Sequence, residues 1–296
     1  MEKPLLLPSN GLEYDKHIYV KPLTFGFLLD WSDPFLAHSF TEQATTLLKN
    51  YISIDPLELY LQDLYYIWFD VVGPVINLDK HKSNKMCIVC GAINQTILDM
   101  TKIDIKFLNN EKTAKKIYKT DEMSIQYKRR KAIDNLYFGM NEYDIRTKDE
   151  DAELKLNKTF ALFLSGQIEE IIDRNHEEIV PKDDYSDFLL SLPKKELLNI
   201  FADVTKNDYG FLEEIVYECK ECGFTNESNI MDDFQSALIF PNDNVEFGEL
   251  YDNYKSLLEM ARLPCFKGIE DIKSLPVTHL KTISDVLKNM EFHSLM

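Results

Sequence analysis

The chain of 296 residues carries 33 basic against 50 acidic side chains, a net charge of −17, which repels phosphate backbones and disfavours general nucleic-acid binding. Hydrophobic residues at 45% and charged ones at 28% are the composition of a soluble globular protein with a sizeable core, as one large domain or two ordinary ones. The longest apolar runs, such as LYYIWF at 64–69, fall far short of the ~20 residues that cross a bilayer, and MEKPLLLPSNG has neither the apolar length nor the cleavage site of a signal peptide.

In chain order, Asn10-Gly11 is a turn dipeptide, and Ile18, Val20 and Leu23 read as short strands. Residues 35–51 place Leu36, Phe40, Ala44, Leu47, Leu48 and Tyr51 at helical steps. Asp55-Pro56 supplies an N-cap and a first-turn proline for a second helix. That helix runs through Val72 and is apolar nearly all round, which predicts central burial or a partner, and Gly73-Pro74 stops it. The pattern then turns strand-like up to Ile103, Ile105 and Phe107. Residues 109–155 are the most polar stretch and read as an exposed excursion with one short helix at 128–138. Within it, Lys128-Arg129-Arg130-Lys131 reads as a solvated helix face, with phosphate binding as the alternative.

Helical periodicity returns over 156–174 (Leu156, Phe160, Phe163, Leu164, Ile168, Ile171, Ile172). HEEIVPKDDYSD reads as a loop or linker, and Ser191 with Pro193 opens a helix through Asp208. After a β-like stretch at 215–230 come an amphipathic helix (Phe247, Leu250, Tyr251, Tyr254, Leu257, Leu258, Ala261) and a final helical pair around IEDIKSL and PVTHLKTISDVLKNM. The expectation is an α+β fold. It joins an N-terminal hairpin, helix pair and first Cys motif (1–108), the polar excursion (109–155), and C-terminal helices with the second Cys motif (156–296). The last segment forms one compact unit with the first.

The residues that carry chemistry are CIVCGAIN at 87–94 and CKECGFTN at 219–226, which share C-x-x-C-G-x-x-N. Two residues between cysteines let both sulfurs face one ion, glycine after the second cysteine allows a positive φ, and the asparagine can cap the turn. Each motif supplies two thiolates and tetrahedral zinc takes four. Cys87, Cys90, Cys219 and Cys222 therefore read as one split structural zinc site in short β-hairpin units, tying the two halves of the chain together. A redox dithiol and plain reduced thiols in β-turns remain the other readings. Cys265 reads as a small buried hydrophobe. His81 could replace a thiolate, although a loop histidine is usually just exposed.

Catalytic patterns are missing: the sequence has no G-x-S-x-G, P-loop, dinucleotide-binding glycine pattern or HExxH, and only ten glycines. The acidic clusters Asp149-Glu150-Asp151 and Asp183-Asp184 read as solvated loops. The expectation is a chain that is not an enzyme, with no small-molecule substrate, no membrane contact and no direct nucleic-acid contact.

Taken in order, several pieces resemble the baseplate hub and hub-assembly proteins of contractile-tailed phages (myoviruses). They are LPSNGLEY followed by IYVKPLTF, the helix pair in ISIDPLELYLQDLYYIWF, the first C-x-x-C-G, the second leading to FQSALIFP, then LYDNYKSLLEM and SLPVTHL. The resemblance covers residues 5–108 and 190–290 in outline; QDLYYIW departs from the usual Asp-Arg step, and 109–155 has no counterpart. It implies a structural role at the baseplate hub, in the virion or in its assembly inside the host cytoplasm, with other baseplate and hub tail proteins as partners. The competing expectation is a zinc-ribbon adaptor that binds a protein of the transcription machinery.

Overall fold

Strands β1 (Lys3–Leu5) and β2 (Ile18–Val20) pair antiparallel, with Lys3 opposite Val20. Between them Asn10 and Gly11 both take positive φ, 58° and 69°, and the Leu12 N–H closes the turn on the Ser9 carbonyl at 3.3 Å. The structure is a computed structural model and describes residues 3–12, 14, 17–31, 39–75, 80–99, 103–109, 115–120, 123–148, 151–173, 175, 180–181, 184–206, 209–211, 214–229, 269–277 and 279. The amphipathic helix expected at 247–261, most of the last helical pair, and Cys265 lie outside these residues.

A first core forms around helices α1 (Phe25–Trp31), α2 (Phe40–Leu48) and α3 (Leu61–Ile67). Ser39 caps α2 by accepting the Glu42 N–H at 3.2 Å. Asp55 accepts the Leu57 N–H at 3.1 Å, and Pro56 opens a short 3₁₀ turn, Pro56–Glu58, ahead of α3. The single helix expected from 55 to 72 is thus three pieces: this turn, α3, and a π-helical turn over Trp68–Val72 that Gly73 closes on the Trp68 carbonyl at 2.9 Å. Its apolar surface is buried as predicted: Leu64, Ile67 and Trp68 are fully enclosed, and the Phe40 ring stands edge-on to Trp68 at 5.5 Å. From the far end of the chain, α8 (Ile269–Lys273) packs on α1, with the Val277 N–H on the Leu23 carbonyl at 2.9 Å.

Strands β6 (Lys115–Lys119), β7 (Met123–Lys128) and β8 (Ile168–Asp173) form an antiparallel sheet with β7 central. Helices α4 (Ala132–Thr147), α5 (Ala152–Ser165), α6 (Tyr185–Ser191) and α7 (Lys194–Thr205) accompany it, and the second core gathers between the sheet and α5, α6 and α7. The polar stretch 109–155 therefore supplies two strands and a long helix rather than an excursion with one short helix. Met123, Ile125 and Tyr127 alternate into the core while polar neighbours face outward. The periodicity over 156–174 also resolves differently. Gly166-Gln167 turns the chain, the Lys128 N–H docks on the Gln167 carbonyl at 2.9 Å, and Ile168, Ile171 and Ile172 become strand residues against β7, as β-branched side chains favour. Ser191 ends α6 instead of opening a helix, and residues 185–187, expected in a linker, belong to α6.

A short strand pair brings the two cysteine segments together. Strand β5 (Ile105–Lys106) lies antiparallel to β9 (Gly210–Phe211), with Ile105 opposite Phe211. Gly210 has φ +82°, and a Cβ there would overlap the Gln62 side chain, whose Oε1 accepts the Phe211 N–H at 3.2 Å. The β5–β9 pair is thereby fastened to α3. Chain leaving one hairpin at β5 and chain entering another after β9 are brought side by side.

Candidate metal centre

The two hairpins are β3 (Lys80–Met86) with β4 (Ile93–Asp99), and β10 (Glu214–Glu218) with β11 (Thr225–Asn229). Each is antiparallel, and each carries one C-x-x-C-G at its turn. The turns are near copies. The Cys87 N–H meets the Ala92 carbonyl at 2.8 Å and the Gly91 N–H meets the Cys87 carbonyl at 2.9 Å; Cys219 with Phe224, and Gly223 with Cys219, repeat both bonds at the same lengths. Gly91 and Gly223 have φ +72° and +71°, the left-handed backbone that glycine adopts without a Cβ penalty.

All four sulfurs lie within 4.8 Å of one another, and no other such group of metal-ligating side chains occurs among the described residues. Cys87 and Cys222 are 3.7 Å apart, Cys90 and Cys219 3.6 Å. These are not disulfide lengths, which are ~2.05 Å. They match the edge of a tetrahedron around an ion with metal–sulfur bonds of ~2.3 Å, an edge of ~3.8 Å. The pairing crosses between hairpins, first cysteine of one beside second cysteine of the other.

The asparagines of the shared motif explain that crossing. Asn94 and Asn226, both buried, cap their own turns as the sequence suggested, donating to the Ala92 and Phe224 carbonyls at 3.1 and 3.0 Å. Each also reaches into the opposite hairpin. Asn94 Oδ1 accepts the Lys220 N–H at 2.9 Å and its amide donates to Cys219 Sγ at 3.4 Å. Asn226 Oδ1 accepts the Ile88 N–H at 3.1 Å and its amide donates to Cys87 Sγ at 3.6 Å. The hairpins interlock through an approximate two-fold relation. This second role was missed in the sequence, although the identical position of the two asparagines was its signal.

The electrostatics divide the four thiols. Cys87 and Cys219 are buried, Cys90 and Cys222 exposed. The Cys222 N–H, with Asn94 and the Glu221 N–H, brings Cys219 down to about 6; the Cys90 N–H, with the Val89 N–H and Asn226, lowers Cys87. At Cys222 the Phe224 N–H pulls downward, but desolvation and the three neighbouring sulfurs prevail and push it up to about 12. Cys90 moves the same way: the Ala92 N–H and Cys222 favour its thiolate, and desolvation with Cys219 and Cys87 outweighs them. Four sulfurs this close cannot all hold negative charge alone; a divalent ion among them would remove the conflict. Neither pair sits at a helix N-terminus, the position that activates a redox dithiol.

Other candidates stay apart. His81 is on β3, in register with Leu98, and among the described residues no histidine joins the cysteine cluster. The basic quartet is not a helix face: it finishes β7 and leads into α4, with alternate residues going to opposite sides. Arg129 lies over the Tyr209 ring at 5.2 Å and Lys131 reaches Glu58 at 3.2 Å, while Arg130 lies over Phe163 at 4.3 Å. No described helix is long and apolar enough to cross a membrane.

Among curated proteins and solved structures, no significant match to this chain was found. The profile of one family, described as T4 bacteriophage base plate protein, matches residues 37–239. That span is more than half of the chain and contains both cysteine hairpins and both cores' central elements. The interlocked hairpins thus stand in a chain that belongs to the T4 bacteriophage base plate protein family, the structural proteins of the phage tail baseplate.

Proposed function

We propose that this chain is a non-catalytic part of the baseplate hub, or a factor for assembling it, and that one zinc ion shared by Cys87, Cys90, Cys219 and Cys222 staples its hairpins. The observation that carries this reading is the surface of the first hairpin. Met86, Ile88, Val89, Ile93 and Ile97 are all more than 60% exposed, and exposed apolar surface marks interaction sites where it forms a patch of several hundred Å². The second hairpin has the same backbone but puts Thr225, Lys220 and Glu221 where the first has Ile93, Ile88 and Val89. The first hairpin therefore has an apolar turn and the second a charged one, although Val216 and Phe224 of the second are also exposed. The staple keeps both turns in fixed relation: the ion supplies folding free energy, on the order of 10 kcal/mol in zinc peptides, and the asparagines set the register. Other baseplate and hub proteins are the partners this surface serves.

Elemental analysis of the purified chain tests the staple: about one zinc per chain supports the shared site, about two favours independent sites, and none rejects both. For the role, tail proteins should be retained by the chain at high salt, because an apolar contact is not screened. Ile88→Glu should keep its zinc and lose those partners. Recovery of host polymerase subunits in their place would overturn the baseplate reading in favour of a transcription adaptor.

A further inference from the structure

Away from the cysteines, the end of β7 and helices α4 and α5 enclose a cleft of about 320 Å³, lined among others by Lys128, Arg130, Ile133, Tyr137, Phe138 and Phe163. Phe138 and Phe163 meet edge to face at 5.3 Å. The Arg130 guanidinium lies 4.3 Å from the Phe163 centroid and 5.3 Å from that of Phe138, a favourable place for a cation. Its backbone is fixed from the other side, the Leu61 N–H bonding the Arg130 carbonyl at 2.9 Å. Arg130 is thus held in place as the cation of an aromatic corner, and its outer wall is apolar: Ile133 and Tyr137 are 45% and 61% exposed.

We propose that this cleft binds a carboxylate borne on an apolar peptide segment of a partner protein. Charge selects the ligand class. Lys128 is already neutralised by Asp134 at 2.8 Å, and the second oxygen of Asp134 accepts the Lys131 N–H at 2.9 Å. Among the described residues no carboxylate forms an ion pair with Arg130. The cleft therefore offers a guanidinium with no carboxylate at ion-pair distance, Asp134 and Glu142 acting on it only from further away. A single carboxylate can pair with that guanidinium, whereas a phosphate dianion would meet about twice the repulsion from Asp134 and Glu142. Guanidinium and carboxylate match in shape and can form paired bonds. Desolvation lowers Arg130 to about 10, with Tyr65, Asp134 and Glu142 opposing, so the charge persists at neutral pH. The volume, at the small end for ligand sites, takes the carboxylate with one adjoining apolar side chain. In a chain of net charge −17, such a cleft is a local landing point for an acidic partner that the rest of the surface repels.

The test uses the full-length chain and short blocked peptides, with binding followed by calorimetry or chemical shifts. Acetyl-Leu-Glu-Phe-amide should bind saturably. The Gln analogue should bind about tenfold more weakly or worse, the loss expected for one charged hydrogen-bonded pair. Arg130→Gln should cost the same factor. Tyr137→Glu, a change on the exposed lip, should weaken the acidic peptide by like-charge repulsion and decides the matter if Arg130→Gln does not fold. Acetyl-Leu-Gln-Phe with a free C-terminus, bound as tightly as the Glu peptide, identifies the natural ligand as a chain terminus; weaker binding identifies it as a side chain. Equal binding of Glu and Gln peptides, no saturation, binding unchanged in both variants, or equal competition by inorganic phosphate would each overturn the proposal.

Discussion

Replacing Asn226 by alanine isolates the interlock from the sulfur ligands. Asn226 is 2% exposed, and truncation removes three contacts together: the Ile88 N–H at 3.1 Å, the Phe224 carbonyl at 3.0 Å and the Cys87 sulfur at 3.6 Å. At about 1 kcal/mol for each of the two ordinary hydrogen bonds, and more where the acceptor is a thiolate, the expected cost is about 2–4 kcal/mol. Groups that orient metal ligands are worth ~10–100-fold in affinity, so zinc retention against a competing chelator should fall by that order. Asn226→Asp sharpens the experiment. It keeps the acceptor for the Ile88 N–H but sets a negative charge against Cys87, and should hold zinc less well than the alanine variant. Because Asn94 makes the reciprocal contacts, the double alanine variant should be clearly non-additive with the two single ones. An Asn226→Ala chain with parental urea midpoint and zinc affinity would refute the idea that the asparagines register the hairpins.

Cys219→Ser should lose zinc, lower the melting temperature and weaken tail-protein capture, while a parental melting temperature would remove the staple. Asp63 provides a pH test. Burial raises its carboxyl from 3.8 to about 7, against the Ser9 side-chain and backbone hydrogen bonds, and its Oδ2 has no hydrogen-bond partner. A raised carboxyl pKa means that the folded chain holds the proton more tightly; its stabilisation is full below pH ~4 and is lost as pH rises through ~7. The limit is about 4 kcal/mol. An amide in place of the carboxyl keeps an acceptor for the Ser9 N–H but buries its own N–H groups, so Asp63→Asn should gain about 1–3 kcal/mol at pH 8 in urea unfolding and lose that advantage at pH 5; a pH-independent difference refutes the assignment. Gly210→Ala, strained by its φ and blocked by Gln62, should cost about 2–3 kcal/mol and also weaken zinc binding, since β9 leads into the second hairpin. Unchanged zinc affinity would separate the two.

What could be read from the sequence was local. Asn10-Gly11, Asp55-Pro56 and the glycine of each C-x-x-C-G announce themselves because a positive φ or an N-cap restricts the residue at one position. The burial of Leu64, Ile67 and Trp68 was legible because no polar face interrupts them. Periodicity failed where a helix and a strand follow each other with no gap in apolar spacing: Phe160, Phe163 and Leu164 pack from α5, Ile168 and Ile171 from β8, and only Gly166 and Gln167 separate the two elements. In 115–128 the outward-facing lysines and serine masked the buried alternation of Met123, Ile125 and Tyr127. The basic quartet misled for a related reason, since its charges are distributed to two sides of an extended strand. The β5–β9 pair is two residues long on each side and leaves no pattern, yet it aligns the hairpins; the four cysteines named the site without revealing what brings them together.

The reciprocity of Asn94 and Asn226 bears on how the chain is made. When the ribosome has delivered the first hairpin, its sulfurs have no opposite pair, the Ile88 N–H has no acceptor, and Asn94 has no sulfur or Lys220 to meet. Those needs are met only after residue 226 has emerged, when most of the chain exists. The cluster can therefore close only on a chain that holds both hairpins: a fragment ending before the second keeps Cys87 and Cys90 without their opposite sulfurs, beside the exposed Ile88, Val89 and Ile93.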